Sequence, residues 1–339
     1  MGPSFLTPLV VSGALALAAP RLTRSMAPAP AARVLAAAGV VAATSWLGAL
    51  GLLAFTGLGQ LRVVADAELW SVWYLHSQEP FGLLLATLCG LALVVGTARA
   101  ARLARRRGGV LFQAWRRCRA LPRSGGDLTV VEDPLPEAFA LPNLPGLRGR
   151  VVVSTGMLHA VEGAELAALL AHERAHLRHR HHVFLLALQL SAAACPLLGP
   201  LAREGGYAIE RWADEEGARE VGDRAVMARA LGRAALARKS GDRSGDRSGD
   251  GPPGARPPSA GPPRGRPEPL LPATGGPVPR RIRALLAPPA ATRRAPLVAA
   301  ALLTAACWTS LGFAASSTHD LFHTAKQVYV LRHPTAPHG

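Results

Sequence analysis

The amino-acid sequence predicts an α+β membrane protein that crosses the bilayer about four times and carries one mixed domain on the cytoplasmic side. Three observations predict this class. The apolar residues are concentrated in separate uncharged blocks instead of being spread as in a soluble core. The arginines flank these blocks unevenly. The long stretch before the last block combines segments rich in β-branched residues with a segment of helical periodicity.

The four apolar blocks are residues 4–19, 34–57, 80–98 and 296–315. The last three are each long enough to cross a hydrocarbon core of about 30 Å at about 1.5 Å per residue. The first block is shorter and contains Pro8. It resembles a signal peptide, but no positive charge precedes it, whereas Arg21 and Arg24 follow it. We therefore predict an uncleaved transmembrane helix with its amino end outside.

Arginine supplies almost all of the net charge of +16. Five arginines directly follow the third block and two directly precede the last one: Arg99, Arg102, Arg105, Arg106, Arg107, Arg293 and Arg294. Such flanks are typical of cytoplasmic segments and also attract anionic lipid, so the bilayer is a predicted partner. Direct binding of nucleic acid is not predicted, because no aromatic residues or DNA-reading motif accompany the charges.

Residues 99–238 are predicted to form the cytoplasmic domain. It begins with a basic helix along the membrane surface over 99–120, continues with strands over 125–131 and 149–155, and then becomes helical from Glu162 to about His181. Residues 239–290 are predicted to be a disordered linker, because they repeat Ser-Gly-Asp-Arg and are rich in proline, glycine and arginine. Within the linker, the amphipathic stretch 280–287 is expected to dock before the last span. Residues 316–339 are expected to be a short external tail.

The segment Ala171-His172-Glu173-Arg174-Ala175-His176 carries the candidate chemistry. Two histidines four residues apart lie on one face of a helix and can bind one metal ion. Glu173, between them, is placed to take a proton from a water molecule at that ion. The preceding apolar residues favour a buried helix over a surface histidine cluster. Scattered Cys89, Cys118, Cys195 and Cys307 predict neither a thiolate zinc site nor a disulfide framework.

A catalytic zinc ion needs a third protein ligand. His182 has a spacing known from one group of zinc peptidases, but that group needs a glycine turn where this sequence has His179. The helix is therefore expected to continue, and the histidines around His181 are interpreted as a cationic collar at the membrane surface. Glu210 is the favoured ligand, and Asp214, one helical turn later, is expected to orient a ligand histidine. The alternative for both is a solvated acidic face.

The choice of Glu210 constrains the path of residues 183–201. A full crossing would carry Glu210 to the opposite side of the membrane from His172 and His176, yet all three must reach one ion. Pro196 and Pro200 interrupt the segment after about 20 Å of helix, which is shorter than the bilayer core. We therefore predict a re-entrant helix.

With these residues the sequence resembles the zinc-peptidase core of the HtpX-type and CAAX prenyl membrane proteases, and most closely that of the BlaR/MecR-type antirepressor metallopeptidases. The resemblance covers about residues 127–238. It implies a zincin-like domain of the gluzincin type, with His172, His176 and Glu210 as zinc ligands and Glu173 as the catalytic base. It also implies that the strand at Val151–Thr155 pairs with an extended substrate. The BlaR/MecR sensor domain is not expected after residue 315, so direct antibiotic sensing is not predicted.

The predicted function is that of a membrane-embedded zinc endopeptidase acting on a protein substrate at the cytoplasmic face. Two roles remain open: membrane-protein turnover, and signal-dependent cleavage of a transcriptional repressor or of the chain itself. Arg219 and Arg224 are candidates for stabilising the oxyanion. The alternative from another class is a catalytically idle scaffold that binds metal or lipid. A transporter is disfavoured, because the spans contain no buried charges.

Overall fold

The computed structural model describes residues 7–78, 82–119, 126–143, 148–247, 278–288 and 294–332. The helices are α1 (Thr7–Ser25), α2 (Pro28–Leu58), α3 (Arg62–Glu68), α4 (Val72–Gln78), α5 (Gly82–Arg119), α6 (Thr155–Ala160), α7 (Gly163–Arg178), α8 (His181–Ala194), α9 (Gly199–Val221), α10 (Arg224–Arg247), α11 (Val278–Leu286) and α12 (Arg294–Arg332). The strands are β1 (Leu128–Val131), β2 (Ala138–Leu141) and β3 (Arg150–Ser154). The described chain is therefore mostly helical, with one small sheet.

Three helices are long and apolar enough to cross a membrane: Pro28–Leu58, Gly82–Arg116 and Leu297–Arg332. The first apolar block forms α1, which is not among them. The described part of its uncharged stretch, residues 7–20, corresponds to about 20 Å of helix. Among the described residues the predicted count of four spans is thus supported for three.

Helix α5 differs from the prediction of a separate basic helix on the membrane surface. It runs without a break from the apolar block to Arg119. Near its end Trp115 is buried and packs with Leu141 and Val152 of the sheet, while the Arg150 guanidinium lies 5.7 Å from the Trp115 ring centroid. The basic half of α5 therefore connects a span rigidly to the sheet, because a continuous helix cannot turn to lie along the membrane plane.

The sheet has the order β1-β3-β2, with β1 parallel and β2 antiparallel to β3. Helix α7 packs on the opposite face of the sheet from Trp115, through an apolar cluster that includes Ala138, Val153 and Leu169. Both edges of β3 are paired, so the expectation that an extended substrate pairs with Val151–Thr155 is corrected. Edge addition within the described residues is possible only at β1 or β2.

Helices α8 and α9 form an antiparallel hairpin joined by a short 3-10 turn at Pro196–Leu198. The start of α8 contacts the middle of α9, where the rings of His181 and Trp212 have centroids 4.6 Å apart. Farther along α8, Leu188 packs against Gly205, which comes earlier on α9. The chain therefore turns back after α8, whose 14 residues span only about 20 Å.

The closed end of this hairpin lies between two of the long apolar helices. Gly39 on α2 faces Ser191 and Leu201, and Gly96 on α5 faces the carbonyl oxygen of Ala194. A β-carbon at Gly96 would lie 2.8 Å from that oxygen, so the close approach of α5 and α8 requires glycine there. The predicted re-entrant segment 183–201 thus corresponds to α8, the turn and the start of α9.

The prediction of disorder over 239–290 is corrected at both ends. Helix α10 continues to Arg247, and Val278–Leu286 forms α11, which packs on α9 and α10. The apolar side chains of α11, including Ile282 and Leu285, join a cluster with Met227 and Leu231, and this burial orders the segment. Residues 248–277 of the predicted linker lie outside the described residues.

Helix α12 extends well past the predicted span. Instead of a short tail after residue 315, it continues to Arg332, and Phe322 packs on Trp70 with ring centroids 4.4 Å apart. The backbone N–H of Ser71 also donates to the carbonyl of Ala325. The loop between α2 and α5 and the end of α12 therefore lie together, at the opposite end of α2 from its first turns.

Candidate metal centre

Helix α7 presents His172 and His176 one turn apart on its buried face. Their exposed fractions are 4% and 3%, and their Nε2 atoms lie 3.2 Å apart. The spacing of four residues predicts this shared face, and burial of the rings against α9 keeps both nitrogens directed at the same point. Helix α7 therefore supplies two nitrogen donors to one small volume.

Helix α9 brings the third donor. Glu210 Oε2 lies 3.8 Å from His172 Nε2, and Glu210 Oε1 lies 3.8 Å from His176 Nε2. One ligand atom from each of these buried residues lies within 4.8 Å of the others. Donors placed about 2 Å from a tetrahedral zinc ion are about 3.3 Å apart, so the observed separations and the His/His/carboxylate donor set fit zinc.

Asp214 lies one turn beyond Glu210 and faces the other side of His172. Its Oδ1 is 3.0 Å from His172 Nδ1. Burial alone lowers the pKa of His172, but the adjacent Asp214 carboxylate outweighs it and the net pKa is raised. Asp214 therefore favours a proton on His172 Nδ1 and leaves Nε2 available to a metal. A metal that binds there would displace the proton that Nε2 carries in the charged form of the ring.

Arg281 on α11 is the functional residue that the sequence interpretation missed. Its Nη1 lies 2.8 Å from Glu210 Oε2, and its Nε donates to Asp214 Oδ2 at 2.8 Å. Its Nη2 also donates to Asp214 Oδ1. Only 2% of Arg281 is exposed, so one buried guanidinium is the shared partner of two buried carboxyl groups.

A sequence signal for Arg281 did exist. The apolar residues Val278, Ile282 and Leu285 recur at helical spacing, and Arg281 occupies a position in the same stripe. A charge on the buried face of an amphipathic helix needs a buried partner. That signal could have linked Arg281 to an acidic group, although not to a particular one.

The charge of Arg281 controls the ionisation of the Asp214 carboxyl group. Burial raises the pKa of Asp214, but the charge and hydrogen bonds of Arg281 outweigh this, together with His172, and lower it to about 2. The two carboxylates in turn raise the pKa of Arg281, despite the opposing effect of burial. Asp214 is therefore ionised and Arg281 charged throughout the ordinary pH range.

Glu173 is buried beside the three donors, with 7% of its surface exposed. Burial raises its pKa above the usual range, while the positive charges of His172 and Arg238 act in the opposite direction. Arg238 lies on α10, so that helix contributes a positive charge that acts on the Glu173 carboxyl group. A carboxyl group with a raised pKa is suited to exchanging protons.

His181 also lies at the centre, which corrects its interpretation as part of a surface collar. Helix α7 ends at Arg178 instead of continuing, and Arg180 adopts a left-handed conformation with φ 51°. This turn points His181 back at His176, and their Nδ1 atoms are 2.9 Å apart. Burial, assisted by neighbouring histidines and Arg33, lowers the pKa of His181 to about 3, so its ring is neutral. His182 does not join the cluster of potential ligands.

The two arginines predicted as oxyanion candidates point elsewhere. Arg219 is exposed and pairs with Glu216 at 2.5 Å. Arg224 pairs with Glu215 at 2.6 Å and donates to the Ala284 carbonyl of α11. Arg219 thus forms an ion pair within α9, whereas Arg224 connects α10 with α9 and α11. The arginines that act on Glu173 are Arg238 and Arg281.

Residues 117–209 match the family model of peptidase family M48. A stretch of 82 residues is 35% identical to the protease HtpX homolog of Acidiphilium cryptum (strain JF-5), covering 24% of this chain and 28% of that protein. A stretch of 90 residues is 37% identical to the chloroplastic plastoglobule-localized metallopeptidase 48 of Arabidopsis thaliana, covering 25% of this chain and 26% of that protein. The chain thus aligns with about a quarter of the length of these relatives. No solved structure matches it.

The matching region contains the sheet, α7 and both histidines, and it ends one residue before Glu210. The third donor therefore rests on the tertiary structure, which brings α9 to α7. The matching region of the chain is therefore similar to part of known metallopeptidases, and three described helices are long and apolar enough to cross a membrane. The BlaR/MecR-type assignment stays a prediction.

Proposed function

We propose that this protein is a zinc-dependent endopeptidase, embedded in the membrane, that hydrolyses peptide bonds of protein substrates at the cytoplasmic face. One observation carries the proposal. His172, His176 and Glu210 converge from two helices in a buried site, and Glu173 lies next to them. Two imidazoles and one carboxylate are a donor set typical of catalytic zinc sites, whereas structural zinc sites have four protein ligands.

Each residue then has a distinct task. His172, His176 and Glu210 would hold zinc, which when bound supplies a Lewis acid that polarises a carbonyl and lowers the pKa of water. Glu173 accepts the proton of the attacking water and passes it to the leaving amine. Burial, which raises the pKa of Glu173, makes its carboxylate a stronger base for taking the proton of water. Asp214 and Arg281 keep His172 and Glu210 in place.

The contacts of the site with a long apolar helix support the proposed membrane location. The Arg33 guanidinium, near the start of α2, lies 4.6 Å from the ring centroid of Trp212, and Trp212 packs on His181 beside the metal centre. The site is therefore close to one end of a long apolar helix. The arginine-rich flanks favour the cytoplasm for that end. A site there suits membrane-protein turnover or regulated cleavage, with a transcriptional repressor among the candidate substrates.

The test replaces Glu173 by Gln in the full chain and compares membranes containing the parent or the variant by mass spectrometry of cleaved peptides. Loss of the base should reduce cleavage by about 100-fold or more, since general acid–base catalysis contributes at least that much. Bound zinc should remain, because Glu173 is not one of the three donors. Glu220→Gln, at an exposed position on α9, is the matched control.

Two outcomes separate the proposal from its alternative. If the zinc-loaded Glu173→Gln variant cleaved as much as the parent, the hydrolysis would not depend on Glu173, and the proposal would be wrong. A parent that binds zinc but cleaves nothing would favour the idle metal-binding scaffold.

A further inference from the structure

We propose that His181 is a positioning residue for the ligand His176, and that its Nδ1 accepts the proton carried by His176 Nδ1. The inference rests on the proposed zinc site. It adds to that site a histidine that contacts Nδ1 of the ligand His176, just as Asp214 contacts Nδ1 of His172.

The direction of the hydrogen bond follows from the geometry of His176. Its Nε2 faces Glu210 Oε1 and His172 Nε2, so this nitrogen must carry the lone pair that binds metal. A neutral imidazole has one protonated nitrogen, so the proton of His176 is on Nδ1. The atom 2.9 Å away is His181 Nδ1, which must therefore be the acceptor.

His181 can serve as an acceptor because its ring is buried and held in place. Its side chain is fully buried, and the ring packs on Trp212 with centroids 4.6 Å apart and stacks on His179 at 5.7 Å. The left-handed backbone at Arg180, a conformation that residues other than glycine rarely adopt, brings the ring to this position. With Nδ1 as acceptor, the proton of His181 is on Nε2, for which the described residues offer no acceptor.

The two ligand histidines therefore have unlike supports. His172 faces the carboxylate of Asp214, which strengthens its basicity, whereas His176 faces a neutral ring. A neutral acceptor orients the ring without adding negative charge to a site that already contains Glu210, Asp214 and Glu173. Loss of His181 should therefore weaken metal binding through disorder of His176, while leaving the charge of the site unchanged.

The test measures zinc affinity of the purified full chain by competition with a chromophoric chelator. His181→Phe keeps a ring against Trp212 but has no acceptor, and we expect its zinc affinity to fall by about 10- to 100-fold. His181→Asn places its amide oxygen near the position of Nδ1, and we expect most of the affinity to return. His181→Gln carries the oxygen too far along the side chain and should behave like the Phe variant. His182→Phe is the neighbouring control and should match the parent.

A second reading comes from the visible absorption of the cobalt(II)-loaded protein, which reports ligand geometry and should change in His181→Phe but not in His181→Asn. Parental zinc affinity and parental cobalt spectra in both the Phe and Gln variants would overturn the inference. If His181→Phe fails to fold, the comparison of Asn with Gln decides in the same way, since both are amides of similar polarity. A parent that binds no zinc would instead overturn the proposed function.

Discussion

Replacement of Arg281 by Met is the sharpest perturbation of the candidate centre. Methionine keeps the unbranched apolar stem of the arginine but removes the guanidinium that contacts both Glu210 and Asp214. Those two carboxylates have exposed fractions of 3% and 1%. They would be left buried and mutually repelling, and with no metal present their nearest remaining partners would be histidines.

The size of the effect can be worked out from this burial. Removing one partner of a buried ion pair costs about 3–5 kcal/mol. In a domain of about 150–250 residues each kcal/mol lowers Tm by about 2–4 °C, so the zinc-free variant should melt about 6–20 °C below the parent. With zinc bound the difference should shrink, because the ion places positive charge next to Glu210. The assay is thermal unfolding in detergent, with and without a chelator.

Arg280→Met is the matched control on the same helix. Arg280 pairs with Glu204 and lies over Tyr207, and its side chain is 28% exposed, so its loss should cost about 1 kcal/mol or less. The reasoning would be refuted if Arg280→Met and Arg281→Met lowered the Tm of the zinc-free protein equally. It would also be refuted if a chelator made no difference to the effect of Arg281→Met.

Two further predictions concern Asp214 and the packing of α7 on α9. Asp214 has a pKa lowered from 3.8 to about 2, so its ionised form stabilises the fold above its unfolded pKa and loses that effect as the pH falls from about 4 to 2. The zinc-free parent should lose about 2 kcal/mol of unfolding free energy across this range that Asp214→Asn does not lose, measured by denaturant titration at each pH. Gly217→Ala should destabilise the protein by about 1–3 kcal/mol, because the new β-carbon would lie 2.8 Å from the backbone oxygen of Ala168. Gly206→Ala, whose β-carbon would meet only Leu185 at 3.7 Å, should be neutral or stabilising by up to about 1 kcal/mol in the same unfolding assay; equal behaviour of the two variants would contradict this packing argument.

Local patterns were sufficient for the active-site helix. The interval between His172 and His176 places both rings on one face of any α-helix, and the apolar residues before them place that face inside the protein. The first and last strands of the sheet were also visible as runs of β-branched residues. Strand β2, Ala138–Leu141, was missed, because its alanines and leucine have weak strand preference and prolines flank it. Its pairing with β3 holds it in the sheet.

The wrong predictions concern residues whose positions depend on contacts with residues distant in the sequence. His181 was assigned to the surface, because nothing in its neighbours indicates that Arg180 adopts a left-handed turn. Arg219 and Arg224 were predicted as oxyanion candidates, but their side chains pair with Glu216 and Glu215, because nothing in the sequence indicates the direction of an arginine side chain. The first predicted span, residues 4–19, stays a prediction, because its described part forms α1, which is not among the three described helices long and apolar enough to cross a membrane.

The amino-acid sequence was enough to establish a membrane scaffold with an apolar helix that carries two histidines and a glutamate in a zinc-peptidase pattern. Those features depend on residue type and on intervals of one helical turn or one bilayer thickness, which local physics dictates. The remaining residues of the candidate metal centre are brought together only by the tertiary structure. Glu210, Asp214, Arg281 and His181 reach their positions because a helical hairpin turns back between two spans and a later helix docks beside it. Contacts of that kind depend on the packing of whole helices, which no local pattern encodes.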